Sequence, residues 1–306
     1  MRTRPPAPCA SILFALALVA CTCGRLDAGM IYLALGDSNA FGDDESTPAS
    51  IQPNNGDQGY VKPFADFLRA VNGGVRPQVV NLAISGELST SFLSGAAPAG
   101  WTGRQPQLNT NYSGPYAAAS QNSLMMGTLQ AARMAGNSVT VTLNIGVNDF
   151  YYLVGTPAFQ AASAAQQQAM FATLVSQVTM NAATVLTEIR TITPTARIIL
   201  PGFFNSYPTT DPSYPYLAAA TLGANQAIQG IAPNFGATYV DLASVINGRY
   251  DQYVNPTLPH HLNQAGYAAV AVALGAAVVP EPSSALLLGI GGAAGLVTLR
   301  RRRRAG

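Results

Sequence analysis

The sequence predicts an α/β protein whose central sheet has five parallel strands with helices on both faces. Two observations carry this. Short apolar runs of strand length recur at 30–35, 78–84, 138–145, 196–204 and 237–246. Stretches with helix-forming residues at helical spacing, 63–71, 124–135, 158–192, 216–231 and 264–278, alternate with them, and such alternation makes a doubly wound parallel sheet. Right-handed crossovers then bring every strand's carboxyl end to one edge, where helix N-termini offer unpaired N–H groups to a ligand.

At the N-terminus, Arg2 and Arg4 precede the apolar run 12–20 and then small residues. That is the order of a secretory signal peptide, expected over 1–29. Leu18-Val19-Ala20-Cys21 also resembles a lipobox, which would place a lipid on Cys21. All three cysteines, Cys9, Cys21 and Cys23, lie in this leader. The mature domain, expected over 30–278, therefore has no disulfide or thiolate metal site, and His260 and His261 alone make no histidine cluster. No cofactor is expected.

The first strand-like run leads into Gly36-Asp37-Ser38-Asn39-Ala40-Phe41-Gly42 and sets a serine at a strand's carboxyl end; an Asp-Ser pair there can equally cap the next helix. The second run leads to Ser85-Gly86, and the third to Gly146-Val147-Asn148-Asp149. Neutral, preorganised donors beside small residues suit an oxyanion, although Gly and Asn also favour ordinary turns. Stretches 43–60 and 87–120 are rich in Gly, Pro, Ser, Thr and Asn, show no period, and are expected to wall a substrate site. Before the last helix stands Pro259-His260-His261-Leu262-Asn263-Gln264-Ala265-Gly266-Tyr267. A serine nucleophile needs a base near neutral pH, and imidazole suits that task. The chain has no histidine other than these two.

At the C-terminus, Val279-Pro280-Glu281-Pro282-Ser283 precedes the uncharged segment 285–299 and five arginines, Arg300 to Arg304. The segment is a little short for a ~30 Å hydrocarbon core, and the arginines should stay cytoplasmic. This ending, 279–306, resembles a PEP-CTERM sorting signal. The resemblance implies a Gram-negative exporter, transient membrane anchoring, processing by a membrane transpeptidase and release to the surface or the exopolysaccharide matrix. Between residues 31 and 279 eight cations face twelve carboxylates, a net charge of −4. The positive charge of the whole chain comes from its ends, so it gives no support for nucleic-acid binding.

Gly36-Asp37-Ser38, Gly86, Gly146-Val147-Asn148-Asp149 and His261-x-Asn263-x-x-Gly266-Tyr267 resemble, in order and spacing, the four sequence blocks of the GDSL or SGNH hydrolases. The resemblance implies a flavodoxin-like three-layer α/β/α fold and hydrolysis of carboxyl esters, and the sorting signal's matrix address makes an O-acylated polysaccharide the expected substrate, with a small-molecule lipid or short-chain ester as the alternative. It makes Ser38 the nucleophile, His261 the general base, and the N–H groups of Ser38 and Gly86 with the Asn148 amide the oxyanion hole. His260 becomes a bystander, turned to solvent or capping the helix. The family pattern has an acid three residues before the histidine, where this chain has Leu258. The expected substitutes are, in order, a backbone carbonyl in the turn 257–259, Asp251 and Asp241. The alternative to an esterase is a lapsed hydrolase fold that binds acyl sugars without turning them over.

Overall fold

The computed structural model describes residues 29–43, 52–211, 214–258 and 260–278. The leader expected over 1–29, save Gly29, and the tail expected over 279–306 lie outside them. The strands β1 (Met30–Gly36), β2 (Gln78–Asn81), β3 (Ser138–Asn144), β4 (Arg197–Pro201) and β5 (Thr238–Val240) form one parallel sheet in the order β2-β1-β3-β4-β5. Leu33 of β1 pairs with Val80 on one side and Val141 on the other.

In chain order the helices are α1 (Ser38–Phe41), α2 (Val61–Val71), α3 (Ser89–Ser94), α4 (Gln121–Met134), α5 (Val147–Val154), α6 (Pro157–Gln160), α7 (Ala164–Ile192), α8 (Tyr214–Ile231), α9 (Leu242–Ile246), α10 (Tyr250–Tyr253) and α11 (Gln264–Ala276). Strand side chains alternate between the faces with period two. Ile31, Leu33, Leu35, Val139, Val141 and Leu143 pack beneath α4, α7 and α8. Tyr32 and Ala34 face the other way, against α2 and α11. The expected three layers are thus present, with a separate apolar cluster on each face of the sheet.

Several boundaries differ from the sequence expectation, each for a local reason. β2 ends at Asn81 rather than 84 because the Asn81 carboxamide oxygen accepts the N–H of Ala83 at 2.9 Å and its amide donates to Ala40 O and Gly56 O, both at 2.8 Å. β4 stops at Pro201, which has no N–H for the ladder. The run 237–246 splits into β5 and α9, since Asp241 accepts the N–H of Ser244 and caps a helix. The run 158–192 is broken where Gln166 Oε1 accepts the Ser163 N–H at 2.9 Å, a capping box that opens α7. Stretch 87–120 holds α3 and short 3₁₀ turns at Pro106–Leu108, Thr110–Tyr112 and Gly114–Tyr116. Asn109 donates to Asn81 O and Ala83 O, and the Tyr112 hydroxyl donates to Leu82 O, so this stretch covers the free edge beside β2.

Candidate active site

The serine's position follows from what surrounds Gly36. A Cβ there would lie 2.1 Å from Asn144 O, and φ is +143°, so only glycine lets β1 and β3 approach this closely. The Gln121 side chain then grips both backbone groups of Gly36, accepting its N–H at 2.6 Å and donating to its carbonyl at 2.9 Å. Asp37 is fully buried and caps α1, accepting the Asn39 N–H at 3.0 Å through Oδ1. Its Oδ2 is buried without a hydrogen bond. Burial therefore pushes the Asp37 carboxyl up to about 7, against the N–H of Asn39 and with help from the negative charges of Asp43, Asp149 and Glu87.

Gly86 sits in the left-handed region at φ +72°, and a Cβ would lie 1.9 Å from Gly103 O. Its carbonyl accepts from Trp101 Nε1 at 2.8 Å, which holds the turn from outside. Asn148, in the first turn of α5, donates through Nδ2 to Glu87 O at 3.1 Å and so joins the Gly86 turn to the third block. A carboxamide has two N–H groups, and the second remains for the cavity that Asn148 lines. Asp149 accepts the N–H and hydroxyl of Ser89 at 2.8 and 2.7 Å, fastening α3 to α5. Burial pushes its carboxyl up to about 6, with Ser89 opposing.

A cavity of about 470 Å³ opens at the carboxyl edge of the sheet, and Ser38, Asn148, His260 and His261 all line it. Val147, Tyr151, Val154 and Leu217 supply its apolar walls. Gly86 is not in that lining; it flanks the cavity through the bond between Asn148 and Glu87. The expected walls also differ. No described residue of 43–60 or 87–120 lines the cavity, because the second stretch lies along the sheet edge and the segment after β3 provides the wall.

His260 is not turned to solvent, and helix α11 is capped instead by Asn263, whose oxygen accepts the Gly266 N–H at 2.9 Å. The His260 ring stacks on Tyr207, centroids 4.2 Å apart, and approaches Tyr151 at 5.4 Å. Its backbone is left-handed at φ 74°, and burial lowers the ring's proton affinity below the usual imidazole range. The Val254–Leu262 bridge and the bond from Asn255 N to His261 O (2.8 Å) set the turn that presents both histidines.

None of the expected carboxylates reaches His261. Asp241 is exposed and capping α9, and Asp251 is exposed on α10. Leu258 O accepts the backbone N–H of His261 at 3.3 Å, and Pro259 lies outside the described residues. The carboxylate that does approach is Asp43, whose Oδ2 lies 3.9 Å from His261 Nε2. Sequence reasoning drew its candidates from residues 241–259 and did not weigh Asp43, although it follows directly on the Gly42 that closes the serine block.

Residues 278–304 match the PEP-CTERM protein-sorting motif, which marks an exported protein. Among solved structures, the chain resembles the lipase Lip_vut3 from a goat rumen metagenome, at 17% identity and TM-score 0.56 over 81% of this chain and 97% of that one. It also resembles Axe2, an acetylxylan esterase from Geobacillus stearothermophilus, at 16% identity and TM-score 0.50 over 83% and 96%. At these identities the likeness is one of fold. No curated protein matches the chain in sequence. Residues 34–269 match the GDSL-like lipase/acylhydrolase family, and at that span the chain belongs to it.

Proposed function

We propose that the protein is an exported serine hydrolase of carboxyl esters, working through an acyl-enzyme on Ser38. The observation that supports this reading is the convergence of Ser38, Asn148 and His261, from three separate blocks of sequence, on one cavity. The Ser38 hydroxyl attacks the ester carbonyl and passes its proton to the His261 ring. The oxyanion takes hydrogen bonds from the N–H groups of Ser38 and Gly86 and the spare N–H of the Asn148 amide. Collapse expels the alcohol, which leaves with the proton from His261. Water then attacks the acyl-serine, giving its proton to the same ring, and collapse breaks the acyl–Oγ bond while the ring returns that proton to Ser38 Oγ as the acid leaves.

The cavity favours a neutral substrate, since among the described residues its lining carries no carboxylate, lysine or arginine. The stacked rings of Tyr207 and His260 offer a face suited to a sugar ring. Together with the sorting motif, this favours an O-acylated polysaccharide over a lipid ester. The domain division follows the same reading: a leader to residue 29, the hydrolase over 30–278, and a tail that anchors the chain at the membrane until it is cut.

Labelling with a fluorophosphonate tests the chemistry. One equivalent should attach to Ser38 in the wild type and none in Ser38→Ala, which should also lose essentially all turnover of p-nitrophenyl esters while remaining folded. A chain that folds and takes no label would be the passive binding domain instead.

A further inference from the structure

The base of a serine hydrolase must be held in one tautomer and its charged form stabilised, and the position that the family pattern uses for that task is occupied in this chain by Leu258. We propose that Asp43 performs it, as the positioning residue of His261; the inference rests on the serine-hydrolase reading above. Among the described residues it is the one carboxylate within 4 Å of the His261 ring. Its side chain is 1% exposed, against 20% for His261, so their interaction is poorly screened by water.

Asp43 is held from both halves of the site. Gly42 closes α1 in the left-handed region, at φ 86°, and the Asp43 N–H returns to Ser38 O at 3.0 Å. Nucleophile and carboxylate thus share one turn. From the other side, Tyr267, in the same sequence block as His261, donates its hydroxyl to Asp43 O at 2.8 Å. The Ser85 hydroxyl donates at 2.6 Å to the carboxylate oxygen that faces the ring. A bond from Ser85 fixes that oxygen's direction while leaving it further lone-pair capacity for the imidazole.

The separation of 3.9 Å is an ion-pair contact rather than a hydrogen bond. Such contacts in a resting site close when the ring becomes charged. With Nε2 turned to Asp43, the proton of the attacking Ser38 passes to Nδ1, and the imidazolium that forms keeps its Nε2–H beside Asp43. The carboxylate keeps its charge throughout. The proton leaves with the alcohol, and Asp43 neither gains nor loses one.

The test compares Asp43→Asn with Asp43→Glu in the full mature chain, with activity expressed per folded molecule. If Asp43 served only as a hydrogen-bond acceptor for Ser85, the isosteric Asn would be the milder change. If its charge serves His261, Glu should be milder. The expectation is a fall in kcat approaching about 10⁴-fold for Asp43→Asn with KM within a few-fold, and a distinctly smaller fall for Asp43→Glu. An Asn variant within tenfold of wild type, or more active than the Glu variant, overturns the proposal. Should the variants fail to fold, the wild type decides: in a crystal structure of its Ser38 phosphonate adduct the ring nitrogen should lie within about 3 Å of an Asp43 oxygen. A ring turned to another partner refutes the assignment. Labelling of wild-type Ser38 separates the two levels, because an unlabelled serine defeats the hydrolase reading itself.

Discussion

The two halves of the candidate site are built differently. On the nucleophile's side, Gly36, Asp37, Glu87 and Gln121 form a polar layer without solvent exposure, in which Gln121 grips Gly36 and its Nε2 faces Glu87 at 3.4 Å. Arg104 closes that layer with a 2.9 Å bond to Glu87. On the base's side, a single bridge, Val254–Leu262, and the Asn255 side chain, which accepts from the N–H groups of Thr257 and Leu258, shape a turn nearer the surface. The nucleophile is thus fixed by buried groups that are costly to disturb, and the base by a local turn. Substitutions that leave a buried group of the first side without its partner should cost stability, and substitutions on the second should cost activity.

The largest effect expected is on the base itself. His261→Gln should lower kcat by at least about 10⁴-fold while moving the unfolding midpoint little, as measured by ester hydrolysis and thermal denaturation. A large loss of stability with His261→Gln would erase the contrast between the two halves.

Next comes the reverse case. Arg104→Ala leaves Glu87, which is fully buried, without its cation, and breaking such a pair costs roughly 3–5 kcal/mol. Burial already raises the Glu87 carboxyl and Arg104 is the leading opposing influence, so without Arg104 that carboxyl should rise further. Denaturant unfolding should accordingly show a deficit at pH 8 that shrinks at pH 5, where Glu87 can take a proton. A deficit equal at both values would mean that Arg104 contributes packing rather than charge.

The contrast also explains what could be read from the sequence. Gly36-Asp37-Ser38, Asn148 and His261 were legible because each has a local signature at a strand's end or before a helix, and short apolar runs alternating with helical stretches made the sheet legible for the same reason. Asp43 was not, since its relation to His261 exists only after α1 turns back and Tyr267 docks on it. Glu87, Arg104 and Gln121 were equally silent, because a buried polar layer joins residues from distant segments and leaves no spacing. The 87–120 stretch read as irregular because Asn109 and Tyr112 bind backbone carbonyls of the β2 strand and the segment after it, which has no period.

A smaller effect sharpens the nucleophile's side. Asp37 titrates near 7 in the folded chain and near 3.8 in its ordinary state. The folded form binds the extra proton between those values, so this group's contribution makes stability fall as pH rises from about 4 to 7. A shift of that size is worth on the order of 4 kcal/mol at most, fully expressed above pH 7. Asp37→Asn keeps an acceptor for the Asn39 N–H and removes the charge. The variant should therefore gain stability relative to wild type at pH 8 and differ little at pH 4, with denaturant midpoints as the measure. Equal differences at both pH values would show that Asp37 is ionised at no extra cost.

The smallest effect belongs to His260, which shares the cavity but not the proposed chemistry. Its ring is stacked on Tyr207 and its proton affinity is lowered by burial, so at neutral pH it stands as an uncharged wall. Removing the ring should cost about 0.5–1.5 kcal/mol of stacking. The left-handed backbone at φ 74° works the other way, because a residue with a Cβ pays roughly 1–2 kcal/mol to adopt it and glycine does not. His260→Gln loses the stack and keeps the strain, whereas His260→Gly loses both, so the Gly variant should be the more stable of the two. Both should keep kcat within a few-fold of wild type and raise KM, since a wall has been lost and the base has not. Thermal denaturation orders the two variants, and steady-state kinetics against His261→Gln separates wall from base. If His260→Gln abolished turnover and His261→Gln spared it, the base would be His260, and Ser206, 3.4 Å from its Nδ1, would take over the positioning role proposed for Asp43.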